Sequence, residues 1–337
     1  MNKTDITRFA IEIAINKAMS RLKHDPERTT RNLIDIALSF SKGRFQTAFF
    51  NAAKKLLEDE NSQYYTLVKN IAFYIDPKRV KIFGVNLGYN SCTLGARTIR
   101  EIEEKEDFNI PWSIIFDNTH INTISRIIDS GKELGIFTYC IFSSEQFDSR
   151  FIDLISKHDD CAIALFLDPI NINSECIEQL KELPHVMLMV SARNIDSFAD
   201  TALHLQNEKF LYGCYLSYED SDEEWITSGE WITETSPFKP VMSILLAGKN
   251  CSQSVCSKVK DYSLITRDEQ SYPTFIIDLY SDLLLTNSII SGESYYLKID
   301  IDSDGFASSN LPNAGTADTT SLSLKGVLRQ LTPCRNK

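Results

Sequence analysis

What this chain lacks narrows its function before what it contains does. It has no clustered basic face: the net charge is −11 and the pI about 5.0. Neutralising nucleic-acid phosphates needs such a face, so no nucleic-acid partner is expected. No apolar run approaches the ~20 residues that span a bilayer, so no membrane partner is expected. The opening stretch, MNKTDITRFAIEIAINKAM, is amphipathic. It lacks the uninterrupted apolar run and small-residue cleavage site of a signal peptide, and the expected location is cytoplasmic. No GxGxxG or P-loop follows the first strand-like run, which lowers the nucleotide-binding open sheet. No Gly-x-Ser-x-Gly elbow occurs, so a hydrolase triad has no support. The five histidines, His24, His120, His158, His185 and His204, are scattered, and only His120 falls at the end of a strand-like run. Among the eight cysteines, Cys251 and Cys256 are the close pair. Their spacing matches no common zinc or cluster pattern and no histidine lies near, so no metal site is expected.

What is there suits a large α/β protein. The chain has 337 residues, enough for one big domain with an extension or for two domains. Residues 1–79 carry four helical apolar stripes: Phe9–Ala18, Leu33–Phe40, Phe45–Leu56 and Tyr64–Tyr74, the last ended by Asp76–Pro77. From Val80 the texture alternates. Apolar runs at Val80–Asn86, Trp112–Phe116, Phe137–Phe142, Cys161–Leu167, Val186–Val190, Phe210–Leu216 and Val241–Leu246 are separated by helical stretches. The repeat is ~22–30 residues, about one βα unit. The runs are almost continuously apolar, as in parallel strands covered on both faces. A partial or full (β/α) barrel and a doubly wound sheet both fit, and the missing phosphate loop favours the barrel. In the tail, Tyr295–Ile301 alternates like a strand, Asp302–Gly305 reads as a turn, and Leu322–Leu331 as a short helix. The expected organisation is a helical N-terminal extension (1–79), a barrel-like domain (80–270) and a hairpin-bearing C-terminal appendage (271–337).

Parallel strands bring their carboxyl ends to one rim, the usual ligand-binding face of a barrel. The polar residues expected there are Asn86, Asn90, Asp117, Asp168, Ser191 and Arg193, with Asn118, Ser143 and Tyr218 beside them. Asp117 and Asp168 have the chemistry of an acid–base pair. The competing reading is that Asp117–Asn118 and Ser191 cap the helices that follow. Asp300-x-Asp302-x-Asp304-Gly305 opens like a calcium loop, but its twelfth position is Leu311, so a hairpin turn is the better reading. Two near-repeats, Trp225-Ile-Thr-Ser-Gly and Trp231-Ile-Thr-Glu-Thr, suit a lid or a packing plug equally.

This layout resembles the radical S-adenosylmethionine superfamily, whose partial (β/α) barrel carries a C-x-x-x-C-x-x-C motif after its first strand. That motif holds a [4Fe–4S] cluster, which binds and cleaves S-adenosylmethionine. The matching loop here is Asn86-Leu-Gly-Tyr-Asn-Ser-Cys92-Thr-Leu-Gly-Ala, which holds one cysteine where three thiolates are needed. The family's Gly-Gly-Glu-like segment would fall at Phe116-Asp117-Asn118-Thr119 and does not match. The tail is similar to the appendage of many such enzymes. Phe275–Asp282, Ser288–Gly292, Tyr295–Ile299, Asp304–Gly305 and Ser321–Leu324 follow its order, with Ser288 and Asn310 where cluster-binding cysteines usually stand. The chain also looks like proteins of clostridial peptide-maturation clusters. The resemblance implies a degenerate, cluster-less barrel that binds a peptide substrate or a partner maturation enzyme, as an accessory protein of ribosomal natural-product biosynthesis. It implies no iron–sulfur cluster and no S-adenosylmethionine. The alternative is a metal-independent barrel enzyme acting on a small molecule through Asp117, Asp168 and Arg193.

Overall fold

The computed structural model describes residues 62–118, 121–143, 149–300, 305–312 and 314–334, with scattered positions before residue 60. The first three helical stripes and the turn at 301–304 fall mainly outside the described residues. Helix α1 (Gln63–Tyr74) corresponds to the fourth stripe and starts at Ser62, whose hydroxyl accepts the Tyr64 N–H. Helix α2 (Pro77–Val85) follows at once. The Asp76 carboxylate accepts the Lys78 N–H at 2.7 Å, and Pro77 stands at the first helical position, where its missing N–H costs nothing. Asn86–Gly95 then continues as a π-helix and Ala96–Glu103 as α3. Val80–Asn86, expected to be the first barrel strand, is therefore helical. A short apolar run cannot by itself separate a strand from a buried helix, and the Asp-Pro start decides here.

The remaining elements alternate as the spacing predicts. They are β1 (Ser113–Asp117), α4 (Ile121–Glu133), β2 (Thr138–Phe142), α5 (Ser149–Ser156), β3 (Ala162–Leu167), α6 (Ser174–Leu180) and β4 (Val186–Ser191). Next come α7 (Ile195–Asn207), β5 (Tyr212–Tyr218), two short helices α8 (Glu223–Thr227) and α9 (Glu230–Thr235), β6 (Met242–Ala247) and α10 (Gln253–Glu269). The chain finishes with β7 (Phe275–Asp278), α11 (Leu279–Ile290), β8 (Leu297–Asp300), β9 (Phe306–Ser309), β10 (Thr316–Asp318) and α12 (Leu324–Leu331). Six of the seven expected strands are strands, within a residue or two at each end. Among the described residues no helix is long and apolar enough to cross a membrane.

The chain divides into two compact units. One holds residues 1–85 and 188–281. In it β4, β5, β6 and β7 pair side by side, all parallel. Phe198, Leu205, Phe210, Leu216 and Leu245 are buried in this unit. The other unit holds residues 86–187 and 282–337. In it β8, β1, β2 and β3 pair in parallel, and β9 and β10 extend the β8 edge as an antiparallel hairpin and strand. The expected hairpin of the tail is thus present, and β8 pairs directly with β1. Phe116, Ile141, Leu165 and Ile299 lie on one face of this sheet and are at most 1% exposed. They drive the layer together through the hydrophobic effect, at ~25 cal/mol per Å² of apolar surface buried.

Candidate functional site

In the second unit the carboxyl ends of four parallel strands carry a row of side chains fixed by register. Asp300 pairs with Asp117, Asp117 with Phe142, and Phe142 with Phe166. Neighbours in register share a face of the sheet, so two acids and two rings stand side by side. The Phe142 and Phe166 rings stack with centroids 4.0 Å apart. Two residues back on β8, Lys298 shares that face. Its Nζ is 2.5 Å from Asp117 Oδ2 and 3.6 Å from Asp300 Oδ2. All three charged side chains are partly exposed. Lys298 neutralises two carboxylates that would otherwise repel across the strands.

Asp168 follows β3 and is exposed. It precedes the short turn Pro169–Asn171, yet its carboxylate makes no cap hydrogen bond there. The capping explanation therefore does not hold it in place. Asn118 has φ +47°, its N–H donates to the Phe142 carbonyl at 3.0 Å, and its side-chain amide donates to Asp117 at 3.3 Å. Residues 119–120, which join it to α4, are outside the described residues.

Asn86 and Asn90 are elsewhere. Both are buried in the π-helix. The Asn86 amide donates to the carbonyls of Asp159 and Cys161 at 2.7 and 2.8 Å. Asn90 donates to Asn86 Oδ1 at 3.1 Å and to the Asp160 carbonyl at 2.8 Å. Residues 159–161 lead into β3, so these two asparagines sit at the amino end of that strand. They were expected at the carboxyl rim because their run was read as a strand. Gly95 closes the π-helix against the turn after α4, so tightly that a Cβ would overlap the Gly135 carbonyl.

In the first unit, Ser191 is the buried last residue of β4. It does not cap α7. Asn194 does, accepting the Ser197 N–H at 2.9 Å. Arg193 donates to both oxygens of Asp222, at 2.6 and 2.8 Å, and to the Ser217 carbonyl. Hydrogen bonding from Arg193 holds the Asp222 carboxyl below its ordinary value, against the opposing effect of burial. Trp231 is buried and its Nε1 donates to the Ala192 carbonyl at 3.3 Å, so this half of the tryptophan repeat is a packing plug. Tyr218 is fully buried beside Asp278.

Two of the charged groups at these strand ends, Lys298 and Asp222, escaped the sequence reading. Lys298 was legible as one of an alternating pair, Lys298 and Asp300, on one face of a strand. Asp222 lies in an acidic run, Glu219–Glu224, that nothing in the sequence ties to Arg193.

No protein-family model matches this sequence, and no curated protein matches it. Solved structures do. SuiB of Streptococcus suis, in the structure with S-adenosylmethionine, superposes with a TM-score of 0.50 at 9% identity, over 69% of this chain and 66% of SuiB. The chain thus spans just under two thirds of that relative. SuiB bound to its precursor peptide SuiA matches with a TM-score of 0.50 at 10% identity, over 69% of this chain and 67% of SuiB. A further SuiB structure matches over 88% of this chain and 78% of SuiB, with a TM-score of 0.50 at 10% identity. At this identity the likeness establishes the partial (β/α) barrel fold alone.

The residues present do not fit the [4Fe–4S] cluster of the superfamily that the sequence resembles. Three thiolates are required. The loop leaving β1, residues 118–120, reads Asn-Thr-His and holds no cysteine. Cys92 lies in the π-helix and is a single thiol. Among the described residues no three His, Cys, Asp or Glu side chains are grouped to hold a metal ion.

Proposed function

We propose that this chain is a cluster-less, radical S-adenosylmethionine-like accessory protein of a ribosomal-peptide maturation system. It binds a peptide or a partner maturation enzyme at strand carboxyl ends and does not generate a radical. The observation that carries this reading is the acidic–aromatic row Asp300–Asp117–Phe142–Phe166 beside a β1 loop without thiolates. Phe166 is buried, so the partly exposed groups of the row are Asp117, Asp300, Lys298 and Phe142; one net negative charge beside a half-buried ring suits a peptide with a basic and an apolar side chain. The precursor peptide bound to SuiB makes a peptide the natural ligand class for a protein of this fold. The small-molecule enzyme reading loses ground, because Asp117 and Arg193 are each held in an ion pair within their own unit.

Two measurements test this. Anaerobic reconstitution with iron and sulfide should leave no stoichiometric iron or acid-labile sulfide on the protein, and dialysis should show no retained S-adenosylmethionine. Short peptides encoded beside its gene, synthesised with a fluorophore, should bind saturably in anisotropy titrations, with affinity falling at least tenfold in Asp117→Asn/Asp300→Asn. Stoichiometric cluster lost on changing Cys92→Ala, or peptide binding indifferent to both acids, overturns the reading.

A further inference from the structure

Cys251 and Cys256 take no part in the row described above. Ser252 is the N-cap of α10, its Oγ accepting the Val255 N–H at 3.4 Å. Cys251 is therefore the residue just before the cap and Cys256 the fourth residue of the helix. Side chains at those two positions meet across a helix start, where many helices clamp the entering chain with an apolar pair. Here the pair is two thiols, and the Cys251 sulfur also lies 3.9 Å from the Ser252 carbonyl. Both are free and half-buried. The backbone is held on both sides: the Cys251 N–H donates to the Gly248 carbonyl at 3.2 Å, and the Cys256 N–H to the Ser252 carbonyl at 3.0 Å. Asp220 accepts the Ser252 N–H at 2.7 Å and the Cys251 thiol. The Tyr218 hydroxyl reaches Cys256 and Asp278. These residues gather at the carboxyl ends of β5, β6 and β7, all within the first unit.

We propose that Cys251 and Cys256 form a dithiol site for small-molecule disulfides of the glutathione class, closing into a disulfide that staples the start of α10. A cysteine thiolate attacks the glutathione disulfide, forming a mixed disulfide and releasing one glutathione thiol. The second cysteine then attacks the bound cysteine sulfur and releases the other. The two cysteines give up two electrons and two protons, and the oxidant takes them up as two thiols. The bridge needs the two Cβ atoms within about 4.5 Å, a separation the backbone sets; facing staple positions turn the two Cβ atoms toward each other, and side-chain rotation aligns only the sulfurs. Burial, with Cys256 and Asp220 beside it, pushes the Cys251 thiol up to about 12. Reduced Cys251 thus gains no stabilisation as thiolate, which favours the closed disulfide at equilibrium and slows attack by its own sulfur.

The test uses the full chain, reduced, desalted and incubated at graded ratios of oxidised to reduced glutathione. After quenching with N-ethylmaleimide it is read by intact mass and peptide mapping. Two of the eight cysteines should escape alkylation. They should map to one cross-linked species joining Cys251 and Cys256, and dithiothreitol should restore both. Cys256→Ser should convert that cross-link into a glutathione adduct on Cys251. Full alkylation of both cysteines at every ratio, adducts on the wild type without a cross-link, or a cross-link joining another pair would overturn the proposal. The wild-type mapping decides whether or not the serine variant folds.

Discussion

The two ends of the parallel strands in the second unit are built on opposite principles. At the amino ends polar groups are buried and spent. Asn86 and Asn90 bond the carbonyls that lead into β3. The Glu103 carboxylate accepts the Ile110 N–H at 2.6 Å and the Ser291 hydroxyl at 2.8 Å, just ahead of β1. Asn287 accepts the Trp112 N–H at 2.7 Å. At the carboxyl ends Asp117, Lys298, Asp300 and Asp168 are partly or fully exposed, and the Asp168 carboxylate caps nothing. Barrels commonly divide their ends in this way, with stability at the amino face and ligand binding at the carboxyl face. A polar residue beside an apolar run belongs to one face or the other according to its burial and partners, which its sequence neighbours do not reveal.

Removing a buried amide tests this contrast most severely. Asn86→Ala deletes two donated bonds and leaves two buried carbonyls and the Asn90 amide short of partners. Such losses cost ~1–3 kcal/mol for each unsatisfied group, so about 3 kcal/mol in all is expected. Urea unfolding should show it, while peptide affinity of the surviving folded fraction stays unchanged. An equal loss of affinity would return Asn86 to the binding face.

Glu103 should show itself in pH dependence. Burial, the largest cause, raises its carboxyl to about 7 despite the two hydrogen bonds it accepts. The folded state then holds a proton that the unfolded state releases near 4.5. The penalty for ionising it is missing below that value and complete above about 7. Wild-type stability should therefore decline by ~1–2 kcal/mol across that window, after allowance for partial solvent screening. Glu103→Gln should flatten the decline. Parallel curves for the two proteins would mean that Glu103 is solvated.

Arg193→Met probes a carboxyl-end ion pair in the first unit. The guanidinium is about half exposed, with 48% of its side-chain surface open, so ~1 kcal/mol is expected despite the bidentate geometry. Asp222 is held below its ordinary value by Arg193, so this contribution is complete at neutral pH. It should fade as acid protonates the carboxyl in the folded state. A difference from wild type that persists unchanged into strong acid would point to lost packing of the arginine stem instead. The smallest stability effect belongs to Asp168→Asn, within ~0.5 kcal/mol, as for a surface side chain without structural partners. Its effect should appear in peptide affinity. A clear drop in melting temperature with unchanged affinity would place Asp168 with the structural residues.

Much of this architecture was legible because the forces that build it are local. Near-continuous apolar runs from Trp112 to Leu246, spaced by amphipathic helices, demanded parallel strands covered on both faces. The alternation at Tyr295–Ile301 and the short last helix at Leu322–Leu331 were equally plain, and the structure keeps both as β8 and α12. Val80–Asn86 is different, because its hydrophobicity suits either geometry and Asp76–Pro77 fits the end of one helix as well as the start of the next. The absence of cysteine from the loop after β1 is also a property of the sequence. Only tertiary structure decided which polar residues are spent and which remain open. Asn86 finds its carbonyl partners more than seventy residues away, and Asp117 meets Lys298 from a strand near the other end of the chain. Hydrogen bonds and ion pairs of that range depend on which strands become neighbours, a choice made by packing the apolar faces and left unwritten in the spacing of the polar residues themselves.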